Sequence, residues 1–343
     1  IDNPLSPAMR SISTALKLLR QRVTREQEEL EIGSHIQRTD EIAVSAEALL
    51  EQRQAGMVYW VEAGRVPRGS TRPSMTLSCA AIEVAPILRE HLFSRDGGII
   101  CTSATLANGP DDFSLVTNRL GAESAKTLQL GSPFDYARQM KVLVDPRMPD
   151  PRHESYLPRL SERVVEQCIS TEGGAFVLFT SRKTMESVAQ NCRGELERRG
   201  YPVLVQGKDG SRTSMLERFR AEEGSVLFGV SSFWQGVDVR GDRLRNVIIT
   251  RLPFDAPDRP IVQARHEAIQ SRGENPFFID QVPRAVIRFK QGIGRLIRAS
   301  GDSGRIVILD PRIVTKNYGR AFQKALPEGV LVEPIDDIDE MIC

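Results

Sequence analysis

Short apolar runs alternate with longer amphipathic stretches along most of this chain. Runs typical of buried strands fall at residues 98–102, 141–144, 175–179, 203–205, 226–228, 246–249 and 305–309. Stretches with helical periodicity fall at 156–169, 182–199, 211–220, 261–271 and 282–298. Alternating strands and helices require right-handed crossover connections. The pattern therefore predicts an α/β fold with a mostly parallel sheet covered by helices on both faces.

The beginning of the chain has a different pattern, with long polar stretches of helical periodicity. Its first apolar positions at helical spacing are Ile12, Leu16, Leu19 and Val23. A second charged stretch covers residues 26–53, and Gly33 is a candidate break within it. This region predicts a hairpin of two antiparallel helices, and the pattern favours a solvated hairpin without chemistry. Residues 57–61 are typical of a strand.

Length and charge narrow the possible functions. The 343 residues suggest two domains at about 150 residues each. Lys and Arg number 46 against 45 Asp and Glu, so a nucleic-acid site would have to come from locally clustered arginines. Five widely spaced cysteines exclude a disulfide scaffold and give no support for a metal site in this chain. Without a signal peptide or an apolar run near the roughly 18 residues of a membrane span, a reducing, cytoplasmic setting is expected.

The stretch 282–298 carries the strongest local anomaly. Gly292 and Gly294 lie inside a predicted helix, where each costs about 1 kcal/mol relative to alanine. One face of that helix collects a polar row of Arg284, Arg288, Gln291, Arg295 and Arg298. Guanidinium groups bind phosphate in a bidentate manner, so the row predicts an anion-facing surface. A solvated helix face is the plainer alternative.

Small hydroxyl residues follow several predicted strands. The residues concerned are Ser103, Thr105, Thr180, Ser181, Ser231 and Ser232. One such residue is more often a helix cap than a site, but their recurrence along one sheet edge favours phosphate binding. Phe233 and Trp234 come next, as core residues or as a surface on which a base stacks.

Several familiar catalytic motifs are missing from the sequence. The one Gly-Lys pair, at Gly207, is followed by Asp209, so no G-x-x-x-x-G-K-[ST] phosphate loop is present. No Asp-Glu pair ends an apolar strand, and neither H-E-x-x-H nor G-x-S-x-G occurs. The four histidines are scattered, and none is assigned a catalytic role.

Taken in chain order, these pieces resemble the carboxyl-terminal half of a superfamily 2 DNA helicase of the DinG/XPD type. Residues 103–106 resemble helicase motif III, residues 179–181 motif IV, residues 233–238 motif V and residues 291–298 motif VI. The Leu-Pro-Phe turn at 252–254 and the Asp-Pro-Arg segment at 310–312 also match, and the resemblance covers roughly residues 57–326. Gln235 stands where many relatives carry Glu.

The resemblance implies a RecA-like helicase lobe together with part of a first lobe and a helical hairpin. Residues 1–56 would be the tail of an arch-like insertion, 57–133 the end of the first lobe and 134–343 the second lobe. ATP would bind between the lobes, with Mg²⁺ held mainly by a first-lobe portion that precedes Ile1. An iron–sulfur cluster would lie in a further preceding insertion. The chain is then expected to be a fragment that is inactive alone.

The resemblance also implies roles for individual residues. Catalysis would fall to Arg295, Arg298 and Gln291. Coupling between ATP and DNA would fall to Gln235, Gly236, Asp238, Ser103 and Thr105. DNA contacts would come from Thr180, Ser181, Ser231, Ser232 and Phe233.

The implied activity is ATP-dependent DNA unwinding in repair or replication. The partners would be single-stranded DNA and forked or structured DNA, with no membrane, and the protein would be a monomer. A non-catalytic RecA-like module that binds nucleic acid or a partner is the alternative. A nuclease is a weaker one, because no carboxylate cluster suits two metal ions.

Overall fold

The computed structural model describes residues 2–64, 66, 71–234, 239 and 241–335. Contacts between residues divide the chain into two compact units. One comprises Ile1–Val84 and Ala256–Gly273, and the other comprises Ala85–Asp255 and Glu274–Cys343. These divisions fall at other positions than residues 56 and 133, and the three-domain scheme stays a prediction.

The first unit contains the predicted helical hairpin, followed by a β-hairpin. Its elements are α1 Leu5–Arg20, α2 Glu26–Glu51, β1 Met57–Ala63, β2 Met75–Ala81 and α10 Pro260–Ser271. Strands β1 and β2 are antiparallel and pair Met57 with Ala81. The break between the helices falls at residues 21–25, and Gly33 lies inside α2, so the break expected at Gly33 is wrong.

Small residues form the contact between α1 and α2. Ser6 is buried, and its hydroxyl donates to the carbonyl oxygen of Ala43 at 2.9 Å. At the exposed edge, Arg10 forms a bidentate ion pair with Glu47, with atom separations of 3.1 and 2.6 Å. Lys17 also pairs with Asp40. The small contact residues allow close approach, and the flanking charges are arranged for an antiparallel pair.

The second unit contains the predicted sheet. Its strands are β3 Met140–Val144, β4 Ala175–Leu178, β5 Val203–Val205, β6 Val226–Gly229, β7 Asn246–Ile249, β8 Gly304–Ile308 and β9 Val332–Pro334. Its α-helices are α3 Ala85–Leu88, α4 Ser114–Leu120, α5 Tyr136–Gln139, α6 Tyr156–Ile169, α7 Arg182–Arg198, α8 Arg212–Ala221, α9 Ser231–Trp234, α11 Val282–Ile293, α12 Arg312–Thr315 and α13 Gly319–Lys324. Two π-helical turns, Arg89–Phe93 and Phe277–Gln281, and a 3₁₀ turn, Gly241–Arg243, complete it.

All seven strands form one sheet in the order β5-β6-β4-β7-β8-β3-β9, and every neighbouring pair is parallel. The predicted α/β fold is thereby confirmed. Successive residues of a strand point to opposite faces, so each strand contributes to two cores. One face packs on α8, α9, α11 and α13, and the other on α6 and α7.

The strand predicted at 98–102 is wrong, because these residues have no regular secondary structure. Ile100 is 88% exposed. An extended segment becomes a strand only when neighbouring backbone groups satisfy its N–H and C=O groups. The described part of the chain pairs no strand with this segment.

Candidate functional site

The carboxyl ends of β4 and β6 bring two of the predicted hydroxyl-bearing loops to one edge of the sheet. Leu178 pairs with Gly229 at the end of these neighbouring strands, and Thr180 and Ser231 each lie two residues further on. Thr180 is exposed. The Ser181 hydroxyl oxygen accepts the N–H of Thr184 at 3.4 Å and so caps α7. Thr180 and Ser181 therefore lie at an edge suited to phosphate, and Ser181 also has a structural role.

Trp234 joins this edge to α11. The indole N–H donates to the carbonyl oxygen of Phe179 at 3.2 Å, directly before the Thr180 loop. The ring lies against Gly292, where a Cβ atom would be 2.8 Å from the Cε3 atom of Trp234. Gly292 is thus required by the close approach of an indole ring.

Arg295 is held beside Trp234. Its Nε–H donates to the carbonyl oxygens of Trp234 at 3.2 Å and Gln291 at 3.0 Å. These bonds connect residues 179–181, 233–234 and 291–295 into one group of contacts on the second unit. These two bonds fix the direction of the Arg295 side chain at the end of α11.

The helix carrying this arginine is shorter than predicted. It ends at Ile293 and not at 298, so Arg295 and Arg298 lie in the loop that follows α11. Asp302 holds the loop beyond this end. Its carboxylate accepts the backbone N–H groups of Arg298 and Ala299 at 2.7 and 2.8 Å.

Asp302 is a site-forming residue that the sequence patterns missed. Its second oxygen accepts the N–H of Gly241 at 3.0 Å, so one buried carboxylate joins the loop after α11 to the turn before β7. Gln139 secures the same loop by donating to the carbonyl oxygens of Ala299, Ser300 and Asp302. An Asp in a polar loop gives no signal that its partner lies some sixty residues earlier.

The other end of α11 contradicts the single anion-facing row. Arg284 pairs with Asp255 at 2.8 Å, and Arg288 pairs with the same carboxylate at 2.5 Å. The Asp255 side chain is 4% exposed. Arg284 and Arg288 therefore belong to a buried ion-pair network, which corrects their assignment as phosphate contacts.

Phe233 is fully buried, and the prediction that it contacts DNA is corrected for that reason. Its ring packs over Gly229, where a Cβ atom would lie 2.7 Å from the Phe233 Cβ and Cγ atoms. Arg212 lies 5.8 Å from the ring centroid. This aromatic residue is part of the core next to the edge, which is one of the two roles that the sequence left open.

The backbone of Ser231 and Ser232 begins α9. Gln235, Gly236 and Asp238 lie outside the described residues. Their assigned roles stay predictions.

Ser103 and Thr105 lie in a turn in which the Ser103 hydroxyl oxygen accepts the N–H of Thr105 at 3.2 Å. The next residues contact α11, because Lys290 donates from Nζ to the carbonyl oxygen of Ala107 at 2.8 Å. Residues 103–107 and the end of α11 are thus in contact within the second unit. Lys290 was not singled out in the sequence, since a lysine in a polar row gives no sign of its acceptor.

The Asp-Pro-Arg segment closes the edge beyond β8. Asp310 is fully buried and accepts the N–H of Leu252 at 2.8 Å, which holds the Leu-Pro-Phe turn. Arg312 binds the same carboxylate through Nε and a terminal nitrogen at 2.8 and 2.6 Å. Burial alone lowers the pKa of Arg312, but the bond to Asp310 more than reverses this and the pKa lies above its ordinary value. Arg312 also lies over the ring of Phe254 at 5.8 Å.

Within the described ranges, no group of three or more His, Cys, Asp or Glu side chains is placed to hold a metal ion. Cys168 and Cys192 are buried, and burial raises the pKa of both thiols, that of Cys192 to about 12.

In the part of the chain that the structure covers, no helix is both long and apolar enough to cross a membrane.

Comparison with known proteins identifies the family. Residues 164–329 match the family described as Helicase C-terminal domain. The chain is 39% identical over 279 residues to the ATP-dependent DNA helicase YoaA of Escherichia coli (strain K12), covering 81% of this chain and 42% of that protein. It is 33% identical over 283 residues to a protein of Bacillus subtilis (strain 168) named 3'-5' exonuclease DinG, covering 81% of this chain and 30% of that protein. The chain spans less than half the length of these relatives.

The fold has a counterpart in a solved XPD helicase, with a TM-score of 0.58 at 16% identity over 95% of this chain and 62% of that one. The second unit is therefore a RecA-like helicase fold. The chain belongs to the DinG/XPD family of superfamily 2 helicases and corresponds to their carboxyl-terminal portion.

Proposed function

We propose that this chain is the carboxyl-terminal part of an ATP-dependent DNA helicase that moves along single-stranded DNA and separates duplexes in DNA repair or replication. The observation that carries the proposal is the contact between Trp234, Gly292 and Arg295. It connects an oriented arginine to the strand-end hydroxyls through the Trp234–Phe179 bond. A motor needs such a path between the groups that bind nucleotide and those that bind DNA.

On the nucleotide side, Arg295 and Arg298 neutralise the charge that develops on the γ-phosphoryl group of ATP, and Gln291 holds that group or the attacking water. An arginine in this role contributes about 10³ to 10⁵ in rate. ATP provides the free energy, and the chain contributes the cations. The phosphate-binding loop, absent from this sequence, is supplied by a preceding part of the helicase, as is the Mg²⁺ site.

On the DNA side, Thr180, Ser181, Ser231 and Ser232 bind backbone phosphates. Such contacts hold the strand without reading bases, so binding tolerates any sequence and weakens with salt. Gln235, Gly236 and Asp238 respond to the nucleotide state, and Ser103 and Thr105 relay it. Loss of the γ-phosphate removes the arginine contacts and opens the lobes, a change biased by different contacts in two states.

The domain scheme follows the same proposal. Residues 1–56 form the tail of an arch-like insertion, 57–133 complete a first RecA-like lobe and 134–343 form the second.

Substitution of Arg295 in the full-length helicase tests the proposal. Arg295→Ala is expected to lower DNA-stimulated ATP hydrolysis by about 10³ or more, because the developing phosphoryl charge loses its cation. The affinity for a single-stranded oligonucleotide stays within a few fold. Arg320→Ala, at an exposed position on α13, is the matched control and retains wild-type turnover. Unchanged turnover in Arg295→Ala would remove the arginine from catalysis.

The 343-residue chain alone tests the domain scheme. It is expected to bind single-stranded DNA and to show no ATP hydrolysis, because it lacks a phosphate-binding loop. DNA-dependent hydrolysis by a pure preparation of this chain would contradict the scheme.

A further inference from the structure

Lys290 lies between two parts of the candidate site, residues 103–107 and the end of α11. It directly precedes Gln291 on α11, and its Nζ donates to the carbonyl oxygen of Ala107 at 2.8 Å. Ala107 is buried and directly follows residues 103–106. One side chain therefore joins the segment of Ser103 and Thr105 to the helix end that presents Gln291 and Arg295.

A side chain that only filled space here would not need to carry a charge. The Lys290 ammonium is partly removed from water, and this desolvation lowers its pKa. A methionine would cover the same apolar surface without that cost. A lysine here gives a directional bond to one backbone carbonyl, which is what a group that transmits a displacement requires.

A second tie, made by α4 further along the chain, reaches the beginning of α11. Arg119 on α4 forms an ion pair with Asp280, which is buried and lies two residues before the helix. Arg284 contacts Asp280 at 3.7 Å and Asp255 at 2.8 Å, so this anchor continues into the buried network. Asp280 and Lys290 are ten residues apart, about 15 Å along a helix. The chain from Ala107 to α4 is therefore attached near both ends of α11, whereas a single contact would act as a pivot.

We propose that Lys290 is a positioning residue that couples residues 103–107 to Gln291 and Arg295. The inference rests on the proposed ATPase function. The Arg119–Asp280 pair is the fixed anchor, and the Lys290 bond carries a shift of the 103–107 segment to the end of α11. The nucleotide-facing groups then respond to DNA through this bond.

Kinetics of the full-length helicase test this role. Lys290→Met is expected to lower the DNA-stimulated kcat for ATP hydrolysis about tenfold, the size of a typical coupling between sites. KM for ATP and Kd for an oligo(dT) probe stay within about twofold, because Lys290 is placed to contact neither ligand. Lys290→Arg restores most of the stimulation, since arginine also donates to a carbonyl. Lys324→Met, at an exposed position on α13, is the matched control and behaves as wild type.

Hydrogen exchange gives a readout that does not depend on activity. Backbone amides of residues 105–112 exchange faster in Lys290→Met than in wild type, while the thermal midpoint changes little. A variant with full stimulation and unchanged exchange would overturn the coupling role while leaving the helicase proposal intact. Equal loss of kcat, ATP binding and DNA binding would reduce Lys290 to a structural residue. No DNA-stimulated hydrolysis in wild type would overturn the proposed function and this inference with it.

Discussion

The two ends of helix α11 carry similar cations in different surroundings. At its beginning, Arg284 and Arg288 share the buried carboxylate of Asp255. Just past its end, Arg295 donates to the carbonyl oxygens of Trp234 and Gln291. The first pair of arginines shares one buried acid, and two backbone carbonyl oxygens hold the direction of Arg295.

The difference shows that a row of arginines in a sequence is not one functional unit. A buried carboxylate within 3 Å of a guanidinium makes that arginine part of the folded core, so Arg284 and Arg288 stabilise the fold. The acid that pairs with the arginines at the beginning of α11 is Asp255. It lies 29 residues before Arg284 and is brought close to it by the turn after β7. Helical periodicity, which considers neighbours within a few turns, cannot include such a partner.

The largest effect is expected at the beginning of α11, where Arg284 and Arg288 pair with Asp255. Asp255→Asn removes the buried carboxylate that two partly buried guanidinium groups share and is expected to lower the free energy of unfolding by about 3–5 kcal/mol, measured by urea denaturation. The control is Glu197→Gln, which breaks a solvated ion pair with Arg193 and changes stability by less than about 1 kcal/mol. Equal effects in the two variants would mean that the Asp255 network is no stronger than a surface pair.

An intermediate effect tests the contact that orients Arg295. Gly292→Ala places a Cβ atom 2.8 Å from the Trp234 ring. It is expected to cost about 1–3 kcal/mol of unfolding free energy through overpacking. Gly194→Ala is the matched change, since no atom lies within 4 Å of the added Cβ in α7. It should stabilise by about 0.5–1 kcal/mol. A stabilised Gly292→Ala protein would show that the indole does not require the glycine.

The smallest effect is expected at Ser181, where it distinguishes a helix cap from a residue that also contacts DNA. Ser181 and Ser211 both cap helices, through the N–H groups of Thr184 and Ser214. Replacing either with alanine is expected to cost about 1 kcal/mol of stability. Under the helicase proposal, only Ser181→Ala also weakens binding of a single-stranded oligonucleotide, by a few fold, because one hydrogen bond contributes about 0.5–1.5 kcal/mol. Fluorescence anisotropy measures this, and equal affinities in both variants would leave Ser181 as a cap alone.

Local pattern predicted the sheet well, and its failures have physical causes. The strands β3 to β8 and the helices α6 and α7 follow from apolar runs and helical periodicity, because each is buried by neighbours within this chain. Residues 98–102 have the same pattern without a neighbouring strand in the described part, and no strand forms. Apolar composition favours a strand, but pairing creates it.

The candidate site was less accessible to sequence reasoning than the fold. The anomaly at Gly292 was visible, but its cause, the Trp234 ring, depends on two connections meeting on one face of the sheet. Phe233 and Trp234 are adjacent and both buried, and only the structure shows one in the core and the other bonded to Phe179. The partners of Lys290 and Asp302 lie far away in sequence. Long-range acceptors leave no periodic signal.

The carboxylate of Asp302 restricts chemical substitution more than its loop position suggests. Its two oxygens accept three backbone N–H groups, from Gly241, Arg298 and Ala299. An asparagine would offer a single acceptor oxygen and turn its own N–H₂ toward another donor, and a glutamate would place its oxygens one methylene further out. The length of the Asp302 side chain consequently sets the distance between the Gly241 turn and the Arg298 loop. In the proposed mechanism Asp302 contacts neither nucleotide nor DNA.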